Sequence, residues 1–289
     1  MPVSVTRQGN NLPNGVFSPT IWSKKLNAKY YAQCFLPEIT NSEFEGEIKG
    51  QGSQVNIRQR PTVQVTDYQV NQDIQYQDIV DEMITLYINK AKNFAFKVDD
   101  IDQAQSNIPI LNELTTDAAF QMKIAVEKDF FSVVYGQAGL NLPQTNIDNT
   151  TALNWLIDAE VQLEQNNIPM DQRWVVIPPK VAGWLQKGDL KNASITGDAE
   201  SVIRKNLNNG RLGTIGGLTV YVSNNLVTAG GVTQCLAGHK SAVTYASQIV
   251  KVENVRLQTK FGDAVRGLNV YGYQTLIPTG LVSMPCTIS

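Results

Sequence analysis

Apolar and polar residues alternate along the segment from residue 44 to residue 98. Val55–Arg58 and Val63–Thr66 each place their apolar side chains on one face, and the alternation returns between Met83 and Asp99. A spacing of two residues predicts β-strands, so we expect a long, hairpin-like excursion here. A two-stranded ribbon of this length is marginal in water, so we expect it to lie against another surface, for which a second subunit is a candidate.

The central part of the chain has the three- and four-residue spacing of amphipathic helices. Leu111 to Tyr135 carries one apolar stripe and is followed by Gly136, a common helix terminator, so the longest helix is predicted here. Lys123 and Glu127 lie four residues apart on another face of that helix, where they are expected to pair. Shorter helices are predicted at 21–31, 151–165 and 179–185, with a short helix or turn at 200–207.

Strands alternate with these helices without a repeating pattern. Trp174–Ile177 is uniformly apolar and predicts a buried strand, while 249–260 and 267–277 are predicted as further strands. Residues 241–247 fit either a strand or a short helix. The first 40 residues have no clean period, so an extended arm is expected there. The mixed order, with no repeated strand–helix–strand unit, favours an α+β fold.

A glycine-rich stretch, NNGRLGTIGGLTVYVSNN (208–225), has the composition of a phosphate-binding loop. Such a loop opens a helix, whose free N–H groups hold the phosphate. Here the glycines are followed by Leu218–Val222, which is β-branched and aromatic, and no lysine follows them. We therefore predict a turn whose glycines adopt positive φ and lead into a buried strand.

Charge and composition exclude several classes of function. The chain has 289 residues, of which 42% are hydrophobic and 17% charged, and its formal net charge is −2. This composition is globular, no apolar run is long enough for a membrane span, and no large positive charge favours nucleic-acid binding over the whole surface. The N-terminus lacks a signal-peptide pattern. The 25 Asn and 23 Gln residues replace much of the usual charge, which suits contact between many identical copies.

Residues with catalytic or metal-binding chemistry are few. Cys34, Cys235 and Cys286 are far apart in the sequence, which indicates structural thiols in a reducing compartment. The single histidine, His239, is expected in a loop. We therefore expect no catalytic residue, no metal site and no cofactor.

Several segments in a fixed order resemble the major capsid proteins of tailed bacteriophages, which have the Hong Kong 97-like capsid fold. The resemblance covers nearly the whole chain. It rests on the irregular arm, the long helix, and an extended β excursion that ends in KNFAFKVDDIDQAQS (90–106). It continues through the strand and Pro-Pro of WVVIPP (174–179), then GRLGTIGGLTVYVSNNL (210–226) and VKVENVRLQTKFGDAVRGLNVYGYQTLIP (250–278).

The resemblance implies a role for each part of the chain. Residues 1–43 would form an N-terminal arm, and residues 44–98 an extended loop, with flanking strands, that lies over a neighbouring subunit. The peripheral domain would comprise residues 99–149, including a spine helix, and the return strands at 236–289. Residues 150–235 would form the axial domain, whose loops meet around five- and six-fold axes.

The function implied by the resemblance is self-assembly, as pentamers and hexamers, into the icosahedral shell around the double-stranded DNA genome of a tailed bacteriophage. The implied location is the virion, with assembly in the host cytoplasm. Some members of the family carry a long N-terminal scaffolding region that is cleaved off, whereas here the arm begins almost at the first residue, so a separate scaffolding protein is expected if the chain is full-length. The portal protein, packaged DNA and a decoration protein are further implied partners, and no membrane partner is expected.

Charged residues supply the candidate contacts. Those of the extended loop are candidates for contacts between subunits, in which acidic groups meet basic partners on the next subunit or the local arginines: Arg58, Arg60, Asp67, Asp73, Asp78, Asp81 and Glu82. Three lysines of the arm are candidates to face DNA: Lys24, Lys25 and Lys29. Some members of the family cross-link covalently through a lysine of the loop, but residues 51–89 contain no lysine, so a non-covalent shell is expected.

Two other functions fit parts of the pattern. An enzyme using carboxylates between residues 67 and 102 would have to work with one histidine and no nucleophile motif. A tail, fibre or other β-rich binding module would form small closed oligomers. The order of the segments favours the capsid subunit over both.

Overall fold

The computed structural model describes residues 31–44, 54–59, 61, 63–67, 70, 73, 76–78, 83–99, 110–187, 211–258 and 261–288. The predicted helix at 200–207, and all but the last residue of the one predicted at 21–31, lie outside these residues. Helices and strands are mixed along the described chain, which confirms the α+β prediction.

The three longest described helices lie close to their predicted positions, whereas the short helix Leu36–Ile39 lies in the arm that was predicted to be extended. Within the described residues the helices are α1 (Leu36–Ile39), α2 (Ile110–Val134), α3 (Ala152–Gln165) and α4 (Pro179–Lys187). The long helix α2 differs from its prediction by one residue at each end, and a short 3₁₀ turn at Tyr135–Gln137 follows it. Two further 3₁₀ turns occur at Lys240–Ala242 and Pro278–Gly280.

The strands form three sheets. They are β1 (Gln54–Arg58), β2 (Met83–Tyr87), β3 (Lys90–Asp99), β4 (Leu140–Asn141), β5 (Thr145–Ile147), β6 (Arg173–Ile177), β7 (Arg211–Ile215), β8 (Leu218–Val222), β9 (Thr228–Ala229), β10 (Val232–His239), β11 (Val243–Arg256), β12 (Gly262–Thr275) and β13 (Leu281–Ile288). The largest has the order β4-β13-β10-β6-β8-β7, with β5 beside β13 and β9 beside β10. The other two are the hairpin β1-β2 and the sheet β11-β12-β3.

The eight-stranded sheet is covered on both faces. On one face Val175 and Ile177 of β6 pack in a core with residues of α3 and α4. On the other face Trp174 and Val176 pack in a core with residues of α2, α1 and β12. Both sets of side chains are therefore buried, which is why this strand is apolar at successive positions rather than alternating.

The glycine-rich stretch forms a tight hairpin turn. Gly216 and Gly217 have φ of 54° and 78°, and they connect β7 to β8 as a two-residue loop of the kind that requires positive φ at both positions. A Cβ on Gly216 would lie 1.9 Å from Oε2 of Glu160 on α3, so this carboxylate would have to move to admit a side chain. The predicted turn and following strand are confirmed, although β7 was not anticipated within the stretch.

Several strand predictions need correction. Val63–Thr66 does not form a strand, and its apolar residues are exposed: Val63 by 62% and Val65 by 97%. The excursion from 83 to 99 is divided into β2 and β3. Residues 241–247 and 249–260 were separate predictions, but β11 runs through both with a bulge between Ser247 and Ile249. β10 and β13, both at the centre of the largest sheet, were not predicted.

His239 ends β10, and the prediction of a loop position is wrong. Its side chain is buried, and Nδ1 accepts a hydrogen bond from the backbone N–H of Ser241 at 3.2 Å. Burial lowers the pKa of the imidazole. The ring therefore caps the Lys240–Ala242 turn and has a structural place in the fold.

Candidate inter-subunit surface

The base of the β1–β2 hairpin is fixed firmly to the rest of the subunit. Ile57, Leu86 and Ile88 are buried with Ala246 and Leu276 in a small core of their own. The hairpin approaches β12 so closely that a Cβ on Gly272 would lie 2.0 Å from the carbonyl oxygen of Tyr87. A glycine at this position is what permits the contact between backbones.

Polar contacts fix the two limbs of the hairpin beyond its base. The Nε2 of Gln59 donates to the carbonyl oxygen of Leu276 at 2.7 Å, which holds the end of β1 against the body. Further along, the backbone N–H of Gln64 donates to Oε1 of Gln77 at 2.9 Å and joins the two limbs. These contacts keep the described parts of residues 59–78 in a defined arrangement.

Large apolar side chains on this excursion face solvent. The exposed fractions of its valines, tyrosine and methionine range from 62% to 97%: Val63, Val65, Val70, Tyr76 and Met83. A concentration of exposed apolar side chains on one segment marks a surface for contact with another protein. We name Val63, Val65, Val70 and Tyr76 the loop patch.

The described candidate charged residues are exposed on the same excursion as the loop patch. Arg58 is exposed at the end of β1, and Asp67, Asp73 and Asp78 are exposed further along. Among the described ion pairs, none joins Arg58 to any of these three carboxylates. The other predicted contact residues, Arg60, Asp81, Glu82, Lys24, Lys25 and Lys29, lie outside the described residues.

A charged cluster fixes the beginning of β3 to the long helix. The Nζ of Lys90 donates to Oδ2 of Asp129 at 2.8 Å and to the hydroxyl of Tyr273 at 2.5 Å. The hydroxyls of Tyr271 and Tyr273 donate to the same carboxylate oxygen at 3.0 and 3.1 Å. Three elements, β3, α2 and β12, therefore meet at Asp129.

The pKa directions within this cluster follow from its hydrogen bonds. Partial burial by itself raises the pKa of Asp129, but the hydrogen bonds from Lys90, Tyr271 and Tyr273 outweigh it, so the pKa is lowered. Burial and the neighbouring carboxylate raise the pKa of both tyrosines. The cluster is therefore an ionised carboxylate held by a lysine and two neutral phenols.

A second buried carboxylate holds the arm. Glu127 of α2 is fully buried, and its Oε1 accepts a hydrogen bond from the backbone N–H of Phe35 at 2.9 Å. Its Oε2 accepts from Nδ2 of Asn225 at 2.5 Å, and the same amide donates to the carbonyl oxygen of Gln33 at 3.2 Å. We name Glu127 and Asn225 the arm clasp, because they join the arm, α2 and the segment after β8.

The predicted pairing of Lys123 with Glu127 is wrong. Glu127 faces the core and makes the contacts of the arm clasp, while Nζ of Lys123 lies 5.5 Å above the ring of Phe120. Sequence analysis did not identify Glu127, Asn225, Lys90 or Asp129 as contact residues. The only signal for Glu127 is its place on the helix: Phe130, Phe131 and Val134, three, four and seven positions further on, are all buried.

Other kinds of site find no support in the described part of the chain. No group of three or more His, Cys, Asp or Glu residues there is arranged to hold a metal ion. No helix among the described residues is long and apolar enough to cross a membrane.

Comparison with known proteins assigns this architecture to a family. The model of a family described as phage capsid protein matches residues 82–283. A solved structure from Mycobacterium phage Che8 is 31% identical, with 92% of this chain and 96% of that chain covered and a TM-score of 0.79. A comparison with curated proteins found no match.

More distant structures share the fold. The capsid structure of cyanophage P-SCSP1u is 14% identical, with coverage of 95% of this chain and 94% of that chain and a TM-score of 0.68. The capsid of the Myoviridae phage XM1 is 12% identical, with coverage of 92% and 96% and a TM-score of 0.66. The architecture is that of phage shell subunits, as expected for the Hong Kong 97-like capsid fold.

The chain belongs to the phage capsid protein family, as a major capsid protein of a tailed phage. It is a structural component of the virion, and its copies assemble into a shell.

Proposed function

We propose that the shell is icosahedral, that it encloses double-stranded DNA, and that the loop patch of each subunit lies on a neighbouring copy. The observation that carries this proposal is the exposure of the loop patch, where Val65 and Tyr76 are 97% and 93% exposed on an excursion whose base is rigidly fixed. A contact with another copy removes this apolar surface from water, which is favourable by about 25 cal/mol per Å².

Charge complementarity supports a neighbour's β3–β12 surface as the receiving side. Residues 61–82 contain five acidic residues and no lysine or arginine. On one face of the sheet β11-β12-β3, Lys97 and Arg266 are exposed and Leu268 offers apolar area beside them, with Arg266 already paired with Glu253 at 2.6 Å. The acidic loop of one copy and the basic sheet face of another attract each other. Because the two surfaces are different, the contact is head-to-tail, and contacts of this kind close into rings.

Removing the loop patch is expected to prevent shell formation while leaving the subunit folded. In Val65→Asp/Tyr76→Asp, charge replaces apolar contact area at two exposed positions, so subunits lose a contact that is repeated at every neighbour. Negative-stain electron microscopy and sedimentation of the protein, expressed with its genomic neighbours, measure assembly. Circular dichroism measures the fold.

The matched control is Val65→Ile/Tyr76→Phe, which keeps apolar side chains at both positions and is expected to form shells. Normal shells from the aspartate variant contradict the proposed contact. Small closed oligomers from the wild-type chain, with no shells or rings of five and six, contradict the capsid function itself and favour a tail or fibre module.

The same proposal assigns a role to each segment of the chain and to its partners. Residues 1–43 act as an arm, 44–98 as the extended loop, 99–149 and 236–289 as the peripheral domain, and 150–235 as the axial domain around the five- and six-fold axes. Assembly takes place in the host cytoplasm with a separate scaffolding protein, a portal protein and, as a further candidate, a decoration protein. The chain has no enzymatic activity in this proposal, and Lys24, Lys25 and Lys29 face the packaged DNA.

The shell is expected to be held without covalent bonds between subunits. Residues 51–89 contain no lysine, and Lys90, the first after them, is already engaged by Asp129 at 2.8 Å. Boiled particles are therefore expected to run as one band at the monomer position in a denaturing gel. A ladder of linked subunits contradicts this expectation.

A further inference from the structure

Two cysteines that are distant in the sequence are in contact in the fold. The Sγ atoms of Cys235 on β10 and Cys286 on β13 are 3.6 Å apart. In the antiparallel register Cys235 lies opposite Met284 and Cys286 opposite Thr233, so the two cysteines are diagonal neighbours on one face of the sheet. Both are fully buried and free.

The surroundings of this pair are apolar. Both residues belong to the core between the eight-stranded sheet and helices α3 and α4, together with Val282 and Met284. Among the described residues, the hydrogen bond of each of these two thiols is with the other. The third cysteine, Cys34, lies in the arm beside Asn225 and is partly exposed, so it serves as an internal reference.

We propose that Cys235 and Cys286 are an intrachain disulfide site, which closes in the folded subunit when the shell leaves the reducing cytoplasm. Sulfur atoms in a disulfide lie about 2.05 Å apart, and diagonal neighbours on two antiparallel strands lie about 7–8 Å apart, so closure requires both side chains to rotate and β10 and β13 to move together at this point. The transfer of the shell from the reducing cytoplasm to an oxidising environment rests on the proposed capsid function. The reaction between the two thiols does not depend on that function.

The oxidant is a low-molecular-weight disulfide, and the reaction is two successive exchanges. The thiolate of one cysteine attacks the small disulfide, forms a mixed disulfide and releases one small thiolate. The second cysteine then attacks the mixed disulfide, closes the Cys235–Cys286 bond and releases the other small thiolate. The protein loses two protons and two electrons, and the small disulfide is reduced to two thiols.

Burial slows the first exchange. The apolar core raises the pKa of Cys235, so the attacking thiolate forms rarely while the pair is enclosed. Because both sulfurs are buried, the reaction proceeds through local opening of the sheet and is expected to be slow.

The site is tested by counting free thiols in the intact protein. Shells and unassembled subunits are kept with oxidised glutathione at mildly alkaline pH, or with a reducing agent, over several days. They are then denatured, alkylated with a maleimide and weighed by mass spectrometry. We expect three adducts per reduced chain and one per oxidised chain, with the remaining adduct on Cys34 and a peptide linking Cys235 to Cys286 within one chain.

Single substitutions separate the pair from the reference cysteine. Oxidised Cys34→Ala is expected to carry no adduct, whereas Cys235→Ala and Cys286→Ala each keep two. The oxidised wild-type subunit is expected to melt about 5–10 °C above the reduced one, and Cys286→Ala is expected to show no such difference.

Three adducts on the oxidised wild-type chain overturn the proposal, as does a linked peptide that joins two different chains. Glutathione held as a mixed disulfide on Cys286 also overturns it, because the pair has then failed to close. Electron microscopy of the same samples tests shell formation separately, so a failure of the disulfide is distinguishable from a failure of the capsid function.

Discussion

Phe130→Ala is expected to lower the free energy of unfolding of the subunit by about 3–5 kcal/mol. Phe130 is fully buried on α2, and its ring packs edge-to-face against Phe131 and Tyr273 at centroid distances of 5.5 and 5.3 Å. Truncation removes apolar contact and leaves a cavity between α2 and β12. Rigid neighbours in a packed core close such a cavity only in part.

The same helix supplies a matched control for this prediction. Phe120 lies on α2 as well, but it is 40% exposed and stacks on Tyr31 of the arm at 4.7 Å. Phe120→Ala is expected to cost about 1 kcal/mol, because less apolar area is removed from contact. Urea unfolding of unassembled subunits measures both values. Equal losses for the two variants contradict the packing argument.

Glu127→Ala is expected to lower the free energy of unfolding by about 2–4 kcal/mol and to release the arm from α2. The substitution leaves the backbone N–H of Phe35 without its acceptor and removes the carboxylate from the acceptors of the Asn225 amide. A buried donor without a partner keeps the full cost of its desolvation. Amide hydrogen exchange checks the local effect, since the Phe35 N–H is expected to lose its protection.

The free energy of unfolding that is lost in Glu127→Ala depends on pH, and the raised pKa of Glu127 sets the direction of this dependence. Burial raises the pKa of Glu127 above its ordinary value of 4.5, although the hydrogen bonds from Phe35 and Asn225 act against the shift. A group with a raised folded pKa contributes stability that is complete below its unfolded pKa and is lost as pH rises through the folded one. The difference between wild type and Glu127→Ala is therefore expected to be larger at pH 4.5 than at mildly alkaline pH.

Replacing an exposed polar residue of the same helix by alanine is the control for the loss of a polar side chain without the loss of a buried contact. Gln121 is exposed on α2, and Gln121→Ala is expected to change the free energy of unfolding by less than about 0.5 kcal/mol. Retained protection of the Phe35 N–H in Glu127→Ala contradicts the arm clasp. A difference that grows with pH contradicts the raised pKa of the carboxylate.

Sequence analysis located α2, α3 and α4 well because their signals are local, but it did not locate the four-residue α1. The apolar stripe of α2 and the Pro179 at the start of α4 act within a few turns of one helix, so no partner has to be known. The turn at Gly216–Gly217 was predicted for the same reason, since positive φ at both positions is a property of the glycines themselves.

β10 and β13 were missed because their environment is set by other parts of the chain. Five consecutive residues at the end of β10 are buried, since helices cover one face of the sheet and the arm and α2 the other, and alternation is lost. β13 contains Pro285, which by itself argues against a central strand. In the fold Pro285 falls between the residues that pair with β4 and those that pair with β5.

Some properties of the candidate inter-subunit surface also follow from the sequence, and others follow only from the tertiary structure. The alternation within residues 44–98 and the resemblance along the chain predicted the extended loop as a contact segment, and the acidic residues of 61–82 supplied its candidate charges. The prediction of a strand at Val63–Thr66 was wrong because alternation alone does not supply the second strand with which it must pair. Only the described arrangement shows Val65 and Tyr76 exposed on an excursion with a fixed base.

By itself the sequence determined the helices, the hairpin turn, the α+β class and, through the order of its segments, the capsid family. These depend on contacts within a few residues or on resemblance along the chain. Only the tertiary structure decided that Glu127 holds the arm, that Asp129 joins three elements, and that Cys235 and Cys286 touch. Each of these contacts joins residues between 39 and 144 positions apart, and no local periodicity records a partner at such a distance.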